Sequence, residues 1–209
     1  MWSSGKMQIS KICDGGSIPS APANMSQKPK LIIITGRPGS GKTTLAKELG
    51  TTLNLPVVSR DEIKEGYVNT FKVRYDELPK DTNKTATEIF FKNIDFLLEN
   101  NISLVAEAAF QHKVWEPEIS KFQSAASLFM IICDIDPDLA AKRHLQRGLD
   151  NPKREFFQSD NRVAQYRKTG VVLPPGDYEA PSLDVPTLKV STENGYSPDL
   201  KSIAEKILT

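Results

Sequence analysis

Residues 31–44 constrain this chain more than any other stretch, because Leu31-Ile-Ile-Ile-Thr35 runs straight into Gly36-Arg-Pro-Gly-Ser-Gly-Lys-Thr-Thr44. An apolar, β-branched run reads as a buried strand, and the loop after it has the form G-x-x-x-x-G-K-[ST]. A helical pattern, Leu45-Ala-Lys-Glu-Leu-Gly50, follows at once. Strand, glycine loop and helix in that order make a cradle for phosphate. Gly36, Gly39 and Gly41 let consecutive backbone N–H groups turn toward one anion, where a Cβ would resist the dihedrals. The positive end of the helix adds to the same field; Lys42 is suited to neutralise β and γ phosphates, and the Thr43 hydroxyl to ligate magnesium. The expected nucleotide-binding segment is the whole loop, Gly36, Arg37, Pro38, Gly39, Ser40, Gly41, Lys42, Thr43 and Thr44, with Arg37 and Ser40 read as fillers.

The 209 residues, 39% hydrophobic, suffice for one substantial core, so one domain is expected over residues 29–209. A formal net charge of +1 gives no global basic surface for duplex binding and no acidic solvating tail. Cys13 and Cys133 fall in an expected tail and an expected buried strand, which suits free thiols in a reducing compartment. No apolar run reaches the roughly 18 residues of a membrane span. The expectation is a soluble, cytoplasmic protein with no membrane partner.

Residues 1–28 combine Ser, Gly and Pro clusters without periodicity and read as a disordered extension, with Met25 a candidate natural start. Leu55-Pro-Val-Val-Ser59 reads as a second strand, and Ser59-Arg-Asp-Glu62 fits an S-x-x-E capping box that sets Asp61 in a first helical turn. Residues 66–80 lack a clean period and read as a substrate-facing loop. From Thr82 to Asn101, Ala86, Ile89, Phe90, Ile94, Leu97 and Leu98 recur at helical spacing. Ser103 to Glu107 reads as a third strand ending in an acid. His112 to Gln123 reads as a helix that Glu116-Pro117 starts or kinks. Ser127 to Cys133 is a fourth strand, after which Asp136 caps a helix with Pro137 in its first position. A proline-rich connection from Val171 to Pro186, a last strand at Thr187–Ser191 and a closing amphipathic helix at Pro198–Leu208 complete the chain.

Five short strands alternating with helices imply a parallel sheet covered on both faces, with ligands beyond the carboxyl ends of the strands. That rim gathers the glycine loop, Asp61, Glu107 and Asp134. Phosphoryl transfer needs phosphate positioning, magnesium, charge stabilisation and a group to deprotonate the acceptor. Asp61 is the acceptor-side candidate base, against a bland reading in which the helix dipole alone favours an acid there. Glu107 is suited either to hold magnesium through water or to hydrogen-bond the acceptor. Asp134 is a weaker candidate, and Asp136 is explained as a cap. Residues 142–168 carry eight basic side chains against three acidic ones, so the positive excess is local and reads as a basic helical lid over about 145–170. Arg143 and Arg147, four apart and so on one helix face, are the lid arginines suited to transition-state charge; Arg154, Arg162 and Arg167 read as a solvated basic face. His112 and His144 read as surface residues.

Gly36–Thr44, Ser59-Arg-Asp-Glu-Ile-Lys64, Leu104-Val-Ala-Glu-Ala-Ala-Phe110, Lys142-Arg-His-Leu-Gln-Arg147, Tyr178-Glu-Ala-Pro181 and Leu188-Lys-Val-Ser-Thr192 together resemble the small P-loop kinases grouped with polynucleotide kinase, chloramphenicol phosphotransferase and zeta toxins. The resemblance spans about residues 30 to 209. It implies a three-layer α/β P-loop NTPase fold of the nucleoside-kinase type. It also implies ATP and Mg2+ as cofactors, Asp61 as acceptor base and Arg143 and Arg147 as lid arginines. In zeta toxins a glutamate at the third strand end contacts the sugar acceptor, a position that looks like Glu107; polynucleotide kinases usually carry an aspartate there.

The expected activity is ATP-dependent transfer of phosphate to a hydroxyl of a small molecule or nucleotide-type acceptor. Three alternatives stand beside it: a 5′-hydroxyl polynucleotide kinase, a zeta-toxin-like kinase of a nucleotide sugar, and a regulatory ATP-binding module that acts through a protein partner. Nucleic acid is the less favoured acceptor, since only Phe156, Phe157 and Tyr166 lie in the basic segment to stack on bases.

Overall fold

The computed structural model describes residues 27–158 and 161–209; the expected N-terminal extension through Ser26, with Cys13 and the candidate start at Met25, lies outside the described residues. Strands β1 (Lys30–Thr35), β2 (Val57–Ser59), β3 (Leu104–Glu107), β4 (Ser127–Asp134) and β5 (Thr187–Ser191) form one parallel sheet in the order β2-β3-β1-β4-β5. β1 lies in the middle. Leu31 to Ile34, four of its six residues, are fully buried, as expected of a strand covered on both faces.

The alternation of side chains along β1 divides the core. Leu31 and Ile33 pack with Leu104, Ala106 and Met130 beneath α3 (Thr82–Glu99) and α4 (His112–Ala125), which contribute Phe90, Ile94, Trp115 and Phe122. Ile32 and Ile34 face the other way, with Val105, Ile131 and Val190. Against them lie Leu45 and Leu49 of α1 (Lys42–Leu53) and Ile203 and Ile207 of α8 (Leu200–Leu208). Truncating any of these large buried side chains to Ala would cost about 2–5 kcal/mol. The three-layer architecture read from the sequence is thus the observed one.

Two local expectations are corrected. Ser59 does precede α2 (Arg60–Phe71) in an extended conformation, but its side chain makes no capping bond; its hydroxyl goes to Glu107 instead. Residues 66–71 are not loop but the last part of α2, and Tyr75–Glu77 form a single 3-10 turn. Elsewhere the punctuation holds. Asp136 accepts a bond from the Leu139 N–H at the start of α5 (Pro137–Asp150), with Pro137 in the first turn. Pro117 sits inside α4 rather than at its start. After α5 come two short helices, α6 (Lys153–Gln158) and α7 (Arg162–Thr169). The connection 171–186 then runs without helix or strand, pressing Ala180, Leu183 and Val185 onto the α3/α4 side of the core. Among the described residues no helix is long and apolar enough to cross a membrane.

Candidate active site

Parallel register brings the chemistry-bearing strand ends to one level. Ser59 pairs with Glu107, and Glu107 with Ile34, one residue before Thr35 and the glycine loop. The loop itself is tightly seated. Gly39 has φ of 86°, and a Cβ there would stand 2.1 Å from the Ala140 carbonyl oxygen of α5, so only glycine fits that approach. Gly41 (φ 79°) precedes the first turn of α1, which has no side-chain cap and no acidic residue. The N–H groups of that turn therefore remain for an anion. From the far side of the sheet, buried Thr192 braces the loop by donating its hydroxyl to the Ser40 carbonyl at 2.8 Å. Its N–H meets the Asp134 carbonyl at 3.0 Å, while the Asp134 side chain is exposed. Ser40 is buried within the loop, and its hydroxyl has no hydrogen-bond partner among the described residues. Arg37 lies over the ring of Tyr178, 5.7 Å from its centroid.

Glu107 is the buried acid of the site. Only 1% of it is exposed, and its carboxylate takes the Ser59 hydroxyl at 2.7 Å and the Thr43 hydroxyl at 3.3 Å, with the Lys42 ammonium 3.8 Å away. Burial pushes its pKa above the ordinary carboxylate value; Lys42 and the Ser59 hydroxyl pull the other way. A hydroxyl and a carboxylate side by side are hard oxygen donors of the kind magnesium takes. No group of three or more His, Cys, Asp or Glu among the described residues forms a metal cage. Thr43 and Glu107 thus fit a cation that completes its shell with phosphate oxygens and water, as magnesium does in kinase sites.

A cleft of about 340 Å³ opens above this pair, and Lys42, Thr43, Asp61, Arg147, Arg154 and Gln158 are among the residues that line it. Asp61 stands in the first turn of α2 with its carboxylate about half exposed, taking a bond from Arg60 at 3.3 Å. Arg60 reaches on to Asn83 of α3 and so fixes the start of α2. Arg147 enters the cleft from α5; burial, and then the nearby Arg154, lower its pKa from the ordinary arginine value. Arg143, on the same helix, does something else: its two terminal nitrogens donate to the Thr192 and Glu193 carbonyls at 2.8 and 2.6 Å. The structure therefore brings Lys42, Thr43, Asp61, Glu107 and Arg147 together and uses Arg143 to fasten α5 to the segment after β5.

Sequence reasoning missed several members of the site. His144, read as a surface residue, is half-buried and lines the cleft, as do Arg154 and Arg162, both read as a solvated basic face. Lys64 is 5% exposed, stands over the Tyr75 ring at 4.5 Å and donates to Gln158 of α6. Burial lowers its pKa to about 8. The Gln158 amide donates in turn to Glu65 at 3.2 Å. A lysine three residues after Asp61 lies on the same side of a helix, and that spacing was the available signal. Cys133 is a buried free thiol whose pKa burial raises to about 12, so it is inert.

The sheet order, the glycine loop on β1 and the acids at neighbouring strand ends define a P-loop NTPase of the kinase-like α/β type. The chain belongs to the AAA domain family, whose model matches residues 31–169. Among solved structures it is similar to a candidate kinase from Chloroflexus aurantiacus. That likeness has a TM-score of 0.71 and 25% identity, and covers 87% of this chain and 98% of that one. The fold is also that of the Mycobacterium tuberculosis APS kinase CysC in complex with AMPPNP and APS, with a TM-score of 0.54, 16% identity, and coverage of 87% and 96%. It is shared as well with a sugar kinase from Janibacter sp. HTCC2649, with a TM-score of 0.52, 13% identity, and coverage of 86% and 92%. No curated protein matches the sequence.

Proposed function

We propose that this protein transfers the γ-phosphoryl group of ATP to a hydroxyl of a small molecule or nucleotide-type acceptor. The observation that carries the reading is the convergence of Lys42, Thr43, Asp61 and Arg147 on one cleft at the carboxyl ends of the strands. The loop amides and Lys42 bind the β and γ phosphates, and the glycine loop from Gly36 to Thr44 wraps the triphosphate. Thr43 and Glu107 would hold magnesium, which neutralises charge on the β and γ oxygens when bound. Asp61, exposed enough to meet an incoming molecule, accepts the hydroxyl proton. The acceptor oxygen bonds to the γ phosphorus as the bond to the ADP oxygen breaks, and Arg147 offsets the charge spread over the transferring group. Helices α6 and α7, within the basic segment 145–170, cover the cleft and exclude water. Arg143 supports the reaction by holding α5 in register with β5.

The test is ADP release in the presence of magnesium, screened across a library of hydroxyl metabolites, with Lys42→Ala as the control. At least one acceptor is expected to stimulate turnover that Lys42→Ala abolishes. ATP turnover that no acceptor stimulates, or that Lys42→Ala leaves intact, would overturn the assignment.

A further inference from the structure

Two arginines in the cleft, Arg154 and Arg162, have no task in the scheme above, and Arg162 is engaged by other groups. Arg154 projects from α6, half-buried, and lines the cleft with Asp61 and Arg147. No carboxylate among the described residues forms an ion pair with it. It lowers the proton affinity of both Arg147 and Lys64, with Asp61 lining the same cleft. Nor is it a loose surface side chain. Gln158, one turn further along α6, is bonded to both Lys64 and Glu65 of α2, which fixes α6 against the helix that bears Asp61. A guanidinium that lines a cleft and has no paired carboxylate is placed to receive an anion.

The triphosphate does not account for that anion. Its charge is matched by Lys42 and the amides at the start of α1, on the glycine loop, and by Arg147 of α5. Arg154 comes instead from the element fastened to the Asp61 helix, the side from which a hydroxyl would approach. Lys64 is occupied by Gln158 and the Tyr75 ring, Asp61 is held by Arg60, and Glu65 is engaged by Gln158. Arg154 is left with its planar fork, a match for phosphate oxygens.

We propose that the acceptor is a small molecule carrying a phosphate group of its own, and that Arg154 grips that phosphate while the hydroxyl faces Asp61. The inference rests on the kinase reading above and narrows its substrate class. The two are tested apart by loading the protein with Mg·AMP-PNP, which fills the nucleotide site, and then titrating inorganic phosphate by calorimetry. Wild type and the exposed-site control Arg167→Gln should bind phosphate saturably. Arg154→Gln should weaken that binding about 10- to 100-fold, the value of a charge-assisted hydrogen bond, and Arg154→Lys should recover part of it. Mg·AMP-PNP affinity should stay within about threefold in every variant, well short of a lost hydrogen bond, which also reports that each is folded. Ribose 5-phosphate should compete with phosphate, and ribose should not.

Phosphate that fails to bind the nucleotide-loaded protein, or binds Arg154→Gln as tightly, overturns the inference and leaves the kinase reading standing. So does an equal loss of Mg·AMP-PNP affinity, which would assign Arg154 to the nucleotide. A 5′-hydroxyl oligonucleotide that displaces phosphate far more strongly than ribose 5-phosphate does, with a steep salt dependence, overturns the small-molecule part. Failure of wild type to bind Mg·AMP-PNP overturns the kinase reading, and this inference with it.

Discussion

Replacing Ser59 with Ala isolates what holds down the pKa of the buried acid. The hydroxyl donates to Glu107 Oε2 at 2.7 Å in a site where the carboxylate is 1% exposed, so no bulk water can replace it. A hydrogen bond to a charged group contributes about 1.5–3 kcal/mol. Its loss therefore raises the Glu107 pKa further above the ordinary carboxylate value. That adds to the upward push of burial, against which Lys42 is then the main opposing influence. The sign follows from linkage. An acid whose folded pKa lies above its unfolded value carries a cost at high pH that disappears as it takes up its proton. The stability deficit of Ser59→Ala should therefore be full above the variant's Glu107 pKa and fade as pH falls through it. Thermal unfolding from about pH 5 to about pH 9 reads this directly. Calorimetric binding of Mg·ATP over the same range should show its acid limb displaced upward. A melting-temperature difference that is the same at every pH, with an unmoved acid limb, would refute the argument that Ser59 serves the carboxylate rather than the helix it precedes.

Asp61→Asn should retain Mg·ATP binding and lose transfer to the acceptor by about 10²-fold or more, measured as kcat against nucleotide Kd; full activity would return Asp61 to a role in the helix dipole. Gly39→Ala should destabilise by about 1–2 kcal/mol from the left-handed dihedral alone and by more from its collision with the Ala140 carbonyl, seen as a lower melting temperature and weakened nucleotide binding. Lys64→Met should stabilise the protein below about pH 8, where wild type bears the full cost of a buried ammonium. That advantage should shrink as pH rises from about 8 toward the ordinary lysine value of 10.5, because wild type sheds the charge there. Melting curves whose difference is flat across that interval would contradict the burial of Lys64.

The parts of this fold that were readable from the chain are those that repeat. Leu31 to Ile34 and the spacing of Ala86, Phe90, Ile94 and Leu98 announce their elements because each period must match a buried face. The end of α2 escaped notice because that helix buries only Lys64 and Val68, and a lysine does not read as a core position. Ser59 was misassigned for a different reason. The S-x-x-E pattern describes bonds within one turn, and nothing in it discloses a carboxylate 48 residues away in sequence that competes for the same hydroxyl. Arg143 and Arg147 share a helix face, yet one meets carbonyls after β5 and the other the cleft. Spacing settles which side of a helix a residue occupies, and the neighbouring element settles what it does.

Thr192 joins the last strand to the first loop, a link of 152 positions along the chain. Every group assigned to nucleotide or acceptor lies before it, so a polypeptide emerging from the ribosome displays all of its reactive side chains well before the strut that props the Ser40 carbonyl has been made. Competence for ATP should thus wait for Thr192, even when every reactive side chain before it has been made.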